Sequence, residues 1–248
     1  MNIGLYQSAA SLSALERWQD AVSQNITSSQ VSGFRKRTVA FSTVEMGQVQ
    51  TDPKARGADS TKAAMFPTTS LGVSFQAGET TPTRRELDVA LQGDGFLEVQ
   101  MPGGGRGFTR AGELHLDSMR TLVGRDNLPI LSQSGNPIVL QAESGPISIA
   151  QDGAISQGDT QLGKLSVVKF PDNSLLLPVG GGTFLARDGT TPTQVEQPAV
   201  LQGYLEASNV TPLREMIALV QIARAYEANQ KIMTDRDQNM QKAIETLG

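Results

Sequence analysis

Residues 211–248 read TPLREMIALVQIARAYEANQKIMTDRDQNMQKAIETLG, a long segment with the signals of a single helix. Thr211 is a candidate N-cap, Pro212 suits the first helical position, and Glu215 places an acid in the first turn. No further glycine or proline interrupts the segment before Gly248. The stretch therefore predicts one helix that is roughly 50 Å long, which exceeds the usual length of a helix in a globular domain.

Apolar side chains recur along this helix at alternating intervals of three and four residues, which is the spacing of a coiled-coil stripe. Gln230 and Asp237 are the two polar positions in the stripe. They either fix the register, face polar groups of neighbouring subunits, or leave the stripe through straight-helix drift. A helix with one apolar stripe needs a partner. The apolar positions of this stripe are Met216, Leu219, Ala223, Tyr226, Met233, Met240, Ile244 and Leu247.

The amino-terminal residues supply the partner helix, with a second stripe in the same spacing. Ser8 and Gln19 are its polar positions. Trp18 lies one residue off this stripe, where it either broadens the apolar face or contacts another subunit. Gly33 is expected to end the helix, because glycine accepts the left-handed conformation found there, and Phe34 adds an apolar contact just beyond. The apolar positions are Leu5, Leu12, Leu15, Val22 and Ile26.

Between the two predicted helices, short apolar runs alternate with turn signals. Residues 93–95, 134–136 and 152–153 have the composition of turns, and the glycine cluster at 103–107 predicts a hairpin turn. Their spacing is typical of an antiparallel sandwich or barrel. The predicted strands are 87–91, 96–101, 129–131, 137–140, 146–149 and 165–170.

The sequence thus predicts an α+β fold in which the terminal helices pair as a coiled coil and an antiparallel β domain is inserted between them. The segment from Thr38 to Thr83 is rich in serine, threonine, glycine and proline, which predicts an extended connector with some strand. The expected divisions are an N-terminal helix in 1–35, the connector in 36–83, the β-rich domain in 84–202, and a C-terminal strand and long helix in 203–248.

Composition and charge exclude several classes of function. The 21 basic and 25 acidic side chains give a net charge of −4 with both signs interspersed, so nucleic acid is not an expected partner. The absence of cysteine excludes disulfides, thiolate metal sites and cysteine nucleophiles. No stretch reaches the ~18 apolar residues of a membrane helix, and the N-terminus lacks the pattern of a cleavable signal peptide. We therefore expect no membrane insertion, and any exit from the cytoplasm must use another route.

No combination of residues predicts catalysis, a metal site or a cofactor. His115 is the only histidine, and it lies in an alternating polar and apolar run that is typical of an exposed strand face. A single histidine leaves one possible base for a Ser-His-Asp triad and no multi-histidine metal site. No serine has glycine two residues before and two residues after it, and the cluster at 103–107 lacks the Lys-Ser/Thr of a phosphate loop. The chain is therefore not expected to be an enzyme.

Several short motifs follow one another along the chain. They are NITS and GFR within 25–35, LDVALQGDGF at 87–96, FTRAG at 108–112, GYLEASNV at 203–210 and ARAYEAN at 223–229. In this order, and over essentially the full chain, they resemble the rod and hook family of flagellar axial proteins. Ser28 stands where that family usually has asparagine.

This resemblance implies a paired-helix inner domain, a connector and one β domain, stacked helically as a hollow tube around an export channel. It also implies export through the flagellar type III apparatus and a place in the periplasm-spanning rod of the basal body. The implied partners are copies of the chain, other rod and hook-family subunits, the export apparatus and ring proteins around the tube. The two stripes, with Trp18, Gly33 and Phe34, would be the assembly residues.

The short chain and single β domain favour the rod over the larger hook protein. Proximal and distal rod subunits stay as alternatives, with the proximal one favoured. A second interpretation, from another class, is an extracytoplasmic β-sandwich binding module that its terminal helices dimerise. Light scattering separates the two classes, because a closed dimer stays small whereas a rod subunit polymerises or stays monomeric until nucleated.

Overall fold

The computed structural model describes residues 3–50, 61–141 and 145–247, with the side chains at 3, 46–50, 61–64, 243, 244 and 247 left undescribed. Two long helices and a series of short, mostly antiparallel strands form an α+β fold, which confirms the predicted fold class.

The chain divides into two compact units. Unit 1 consists of Met1–Ile26, Arg37–Gly72 and Thr211–Gly248. Unit 2 consists of Thr27–Lys36 and Val73–Val210. The chain therefore passes from one unit to the other four times.

Unit 1 contains the long carboxy-terminal helix α2 (Pro212–Leu247), which begins where the sequence predicts. The backbone carbonyl of Thr211 accepts hydrogen bonds from the amides of Arg214 at 3.0 Å and Glu215 at 3.2 Å. This is the start of the helical hydrogen-bond pattern, and Pro212 has no amide hydrogen to leave unpaired.

The amino-terminal helix α1 (Ile3–Thr27) ends earlier than predicted. The prediction that Gly33 closes this helix is wrong, because the serines that follow Thr27 favour turns over helix. Gly33 does adopt a positive φ, of 66°, but it does so in a separate turn further along the chain.

An apolar cluster joins α1 and α2 within unit 1. Ile222 of α2 is its most buried member, at 1% exposed, and Leu15 and Val22 of α1 are buried with it. Burial of each large aliphatic side chain in this way stabilises the folded chain by about 1.5–3 kcal/mol relative to leaving it exposed. The half-buried members of the cluster are Trp18, Ile26, Ala218, Leu219, Ala225 and Tyr226.

Strands β1 (Arg37–Gln50) and β2 (Thr61–Val73) pair in a two-stranded sheet, the β1–β2 ribbon, which belongs to unit 1 up to Gly72. Most of the described residues of 38–83, for which the sequence predicts an extended connector with some strand, lie in strands. The ring of Phe41 meets the ring of Trp18 edge to face with centroids 5.5 Å apart. Contact with α1 thus gives the ribbon tertiary packing that its weak alternation of polar and apolar residues did not predict.

Unit 2 is built from short strands. Their bounds are β3 (Thr80–Pro82), β4 (Val89–Gln92), β5 (Phe96–Gln100), β6 (Arg106–Thr109), β7 (His115–Leu116), β8 (Leu122–Val123), β9 (Ile147–Ile149), β10 (Ala154–Gln157), β11 (Thr160–Lys164), β12 (Val167–Lys169), β13 (Leu176–Gly180), β14 (Thr183–Ala186), β15 (Thr193–Gln194), β16 (Ala199–Gln202) and β17 (Tyr204–Glu206). A short 3₁₀ helix (Asn173–Leu175) precedes β13.

The largest sheet of unit 2 has the strand order β13-β14-β6-β5-β12-β15. Strands β9, β10 and β11 form a three-stranded sheet, and the pairs β4–β16 and β3–β17 join segments that are far apart in sequence. Most of the predicted strands overlap β4, β5, β9 and β12, whereas 129–131 and 137–140 form only isolated bridges. The predicted hairpin turn is confirmed, because β5 and β6 pair in antiparallel fashion across the glycine cluster.

Two apolar clusters form the core of unit 2. The larger one is aliphatic and contains the fully buried Ile130. The second contains phenylalanine rings that meet edge to face with centroids 4.8–6.0 Å apart, an arrangement that aromatic quadrupoles favour. Its phenylalanines are Phe96, Phe108, Phe170 and Phe184.

Candidate assembly surface

Helix α2 has two apolar faces. At about 100° per residue, the side of the helix opposite Ile222 carries Leu213, Met216, Ile217 and Val220. These four side chains are between 52% and 68% exposed. Their spacing is that of an apolar stripe that packs against a partner. We call these four residues the α2 stripe.

The β1–β2 ribbon and α1 add further exposed apolar side chains to unit 1. Phe41, Val44, Met65 and Leu71 of the ribbon are all exposed, and so is Tyr6 of α1. Most of the exposed large apolar side chains among the described residues belong to unit 1. Exposed apolar side chains are common at sites that bind another protein, a membrane or a ligand.

Asn25 joins three elements inside unit 1. Its Nδ2 donates to the backbone carbonyl of Arg37 at 2.9 Å and to Oε2 of Glu215 at 3.0 Å, and its Oδ1 accepts from the amide of Arg37 at 2.7 Å. Asn25 and Glu215 are buried, and burial lowers the pKa of the Arg37 guanidinium. The side-chain amide of Asn25 thus forms with Arg37 the pair of hydrogen bonds that a neighbouring strand would form. Asn25 in this way connects α1 to both β1 and α2.

The predicted stripe of α1 lies largely against α2. Leu15 and Val22 are buried there, Trp18 and Ile26 pack on the same cluster, and Leu5 and Leu12 are half-buried. From the predicted stripe of α2, Leu219 and Tyr226 join the cluster and Met233 is half-buried.

The remaining predicted assembly residues have other environments. Met216 and Ala223 are exposed, because they lie about 100–120° around the helix from the buried Ile222, and Met240 is exposed as well. Gly33 and Phe34 are buried within unit 2. The side chains of Ile244 and Leu247 lie outside the described part of the chain.

The geometry offers little for catalysis. His115 is exposed on β7, as predicted, and its Nε2 lies 2.8 Å from Oδ1 of Asn127. Within 3–50, 61–141 and 145–247, no group of three acidic or histidine side chains could hold a metal ion. Neither described helix is long and apolar enough to cross a membrane.

Two family models match the chain. The model described as "Flagellar hook protein FlgE/F/G D1 domain" matches residues 90–157, and the model described as "Flagellar basal body rod FlgEFG protein C-terminal" matches residues 201–246. The flagellar basal-body rod protein FlgF of Rhizobium meliloti is 32% identical over 257 residues, which cover 100% of this chain and 99% of the relative. The chain belongs to the flagellar basal-body rod protein family.

Two more relatives of this rod protein match it at similar length. FlgF of Caulobacter vibrioides is 31% identical over 248 residues, with 100% of this chain and 99% of the relative covered. FlgG of Bacillus subtilis is 28% identical over 258 residues, with 97% of each chain covered. Both units of the rod protein therefore fall within the matched length.

Membership of this family confirms several predictions. The rod protein is a structural subunit of the basal body and not an enzyme, and its family replaces the binding-module interpretation. The sequence pattern did not identify Ile222 as the centre of the buried face of α2. It also did not identify Leu213, Ile217 and Val220 as part of an exposed apolar stripe. Their i, i+4, i+7 spacing from Leu213 was a visible signal for that second face.

Proposed function

We propose that this rod protein assembles helically through unit 1 into the hollow drive shaft of the flagellum. The α2 stripe carries the proposal, because it leaves four large apolar side chains exposed on the side of α2 that faces away from the cluster around Ile222. Covering such side chains with another subunit removes apolar surface from water, which stabilises the assembly by about 25 cal/mol per Å².

An open, helical assembly follows from the separate faces of unit 1. One face of α2 is already occupied within the chain, so the α2 stripe is free to meet a different surface on the next subunit. The exposed side chains of the β1–β2 ribbon supply such a surface. A contact between two different surfaces that does not close into a ring generates a helical filament.

The two helices form the inner domain of this proposal by pairing as a coiled coil, and unit 2 is the inserted outer β domain. The buried cluster of Leu15, Val22 and Ile222 supports the pairing. Gln230 and Asp237, the two polar positions in the three-and-four spacing predicted along α2, are exposed. Their exposure fits contacts with polar groups of neighbouring subunits, and it fits a departure from the stripe through straight-helix drift equally well.

The proposed partners are copies of this chain, other rod and hook-family subunits, the type III export apparatus and surrounding ring proteins. The full-length matches to FlgF and FlgG proteins support the first two. The proposed location is the periplasm-spanning rod, in its proximal part, reached through the type III export apparatus.

Deletion of the gene tests the proposed function. Cells without it should not swim in soft agar, and their isolated basal bodies should end before the hook in electron micrographs. A plasmid copy of the wild-type gene should restore both. Normal swimming of the deletion strain, in a genome that encodes no substitute subunit, would contradict the proposal.

A further inference from the structure

Three segments of unit 2 adjoin the places where the chain crosses between the units. These crossing segments are residues 27–36, 73–79 and 203–210. Neither of the two large apolar clusters of unit 2 draws on described residues of 27–36 or 203–210. Polar contacts therefore help to fix these two segments in unit 2, beside the pairing of β17 with β3.

A buried group of charges brings the crossing segments together. Nη2 of Arg35 donates to Oε1 of Glu206 at 2.6 Å, and Nη1 of Arg110 lies 3.3 Å from Oε2 of the same carboxylate. The side chains of Arg35, Glu206 and Arg110 are 1%, 2% and 6% exposed. One carboxylate thus pairs with two buried guanidinium groups, and a buried charge that loses its partner is strongly destabilising.

Arg110 is fixed to the β core at the same time. Its Nη1 donates to the carbonyl of Leu91 at 3.1 Å, its Nη2 donates to the carbonyl of Gly93, and its guanidinium lies 5.5 Å from the centroid of the Phe96 ring. Burial lowers the pKa of Arg110, and Glu206 acts in the opposite direction by favouring the charged form. Glu206 is thus the first of the two carboxylates, with Asp94, that favour the charged form of Arg110.

Glu206 also accepts hydrogen bonds from backbone amides of the two other crossing segments. Its backbone carbonyl accepts a hydrogen bond from the amide of Gly33 at 2.7 Å, and its side-chain Oε1 accepts one from the amide of Gly78 at 2.9 Å. Both donors are glycines at close approaches. A Cβ on Gly33 would lie 2.2 Å from the carbonyl carbon of Arg110, and a Cβ on Gly78 would lie 1.8 Å from the carbonyl oxygen of Ala207.

Asn209 repeats the connection three residues later. Its Oδ1 accepts from the amide of Lys36 at 2.7 Å, and its Nδ2 donates to the carbonyls of Ser74 at 2.9 Å and Gln76 at 2.8 Å. Side chains from 203–210 therefore bond to both of the other crossing segments, and the amide of Ser74 donates to the carbonyl of Lys36 at 2.8 Å.

We infer that Glu206 is the positioning residue that fastens the three crossing segments to one another and, through Arg110, to the β core of unit 2. The family-like motifs GFR, FTRAG and GYLEASNV contribute Arg35, Arg110 and Glu206, so the residues that carry the resemblance meet at this one cluster. Its consequence for the rod rests on the proposed function. The segment that follows α1 (27–36) and the segment that precedes α2 (203–210) are then fixed to the β core of unit 2 before any subunit contact forms.

Amide hydrogen exchange on the purified full-length monomer tests this inference with Glu206→Gln. This variant keeps the shape of the side chain and leaves two buried guanidinium groups without a carboxylate. The amides of Gly33, Gly78 and Ala207 should exchange on the order of 100-fold faster, since breaking a buried ion pair of this kind is strongly destabilising. The core amides of Leu97 and Ile130 should change by less than about threefold, because local opening and global unfolding are separate events.

Glu98→Gln is the matched control. Glu98 is equally buried, but its partner Arg106 is 58% exposed and can turn to water. This control should leave the amides of Gly33 and Gly78 unchanged. If Glu206→Gln does not fold, Arg35→Lys is measured in the same way, because it keeps the charge and removes the planar fork.

Faster exchange confined to the crossing segments supports the inference. Unchanged exchange at Gly33 and Gly78, or an equal acceleration of these amides and the core amides, overturns it. The measurement uses monomer alone, so its failure would leave the deletion test of the rod function standing, and the reverse also holds.

Discussion

Gly33 is subject to two independent constraints, a positive φ of 66° and a backbone neighbour inside van der Waals distance. Gly33→Ala should therefore lower the free energy of unfolding by at least about 2 kcal/mol, from left-handed strain together with overlap at Arg110. The measurement is urea denaturation of the purified chain followed by far-UV circular dichroism.

Gly104→Ala is the control for backbone strain alone. Gly104 has a φ of 88°, and none of the described atoms lies within 4 Å of a Cβ built there. This variant should lower the free energy of unfolding by about 1 kcal/mol. Equal losses for the two variants would show that the close approach to Arg110 contributes nothing.

Residue-level chemistry was only partly predictable. The sequence predicts glycine-specific backbone geometry at Gly33 correctly, but it assigns that geometry to a helix end. The partner that requires glycine, Arg110, is remote in sequence, and Glu206 lies 171 residues from Arg35. Only tertiary structure brings these residues together, so no local pattern could identify the cluster.

At the scale of elements, the two faces of α2 make opposite predictions. Ile222→Ala should destabilise the monomer by about 2–5 kcal/mol, because it opens a cavity in the cluster between α1 and α2. Met216→Ala should change monomer stability by less than about 0.5 kcal/mol, because its side chain is exposed. Thermal melting monitored by the helical signal at 222 nm compares the two. A larger loss for Met216→Ala would reverse our assignment of the faces.

The sequence predicted the existence of both helices better than it predicted their contacts. Residues 216–220 of α2 are all apolar, so a three-and-four spacing can be drawn through either face. Which face is buried depends on the position of α1 and on the anchor of Asn25 to Glu215. The sequence predicts some strand in 38–83 but not the pairing of β1 with β2, since a serine- and threonine-rich strand gains its stability from packing and not from its own pattern.

At the scale of the whole molecule, the α+β class and the structural, non-enzymatic role were predictable, because both follow from composition and from the order of elements and motifs. The absence of cysteine and the single histidine needed no tertiary information. Assembly is different, because it depends on which apolar side chains the folded chain leaves uncovered. In this rod protein those side chains belong mostly to unit 1, the unit that contains both terminal helices.

The most direct test of the proposed assembly compares two identical substitutions at equally exposed valines. Val220 of the α2 stripe is 54% exposed and Val179 of β13 in unit 2 is 53% exposed. Each Val→Asp variant is expressed in the deletion strain, and swimming is scored beside melting of the purified monomer and the amount exported. We predict that both monomers melt like the wild type and are exported, that Val179→Asp restores swimming, and that Val220→Asp does not. Full swimming with Val220→Asp would contradict assembly through the α2 stripe.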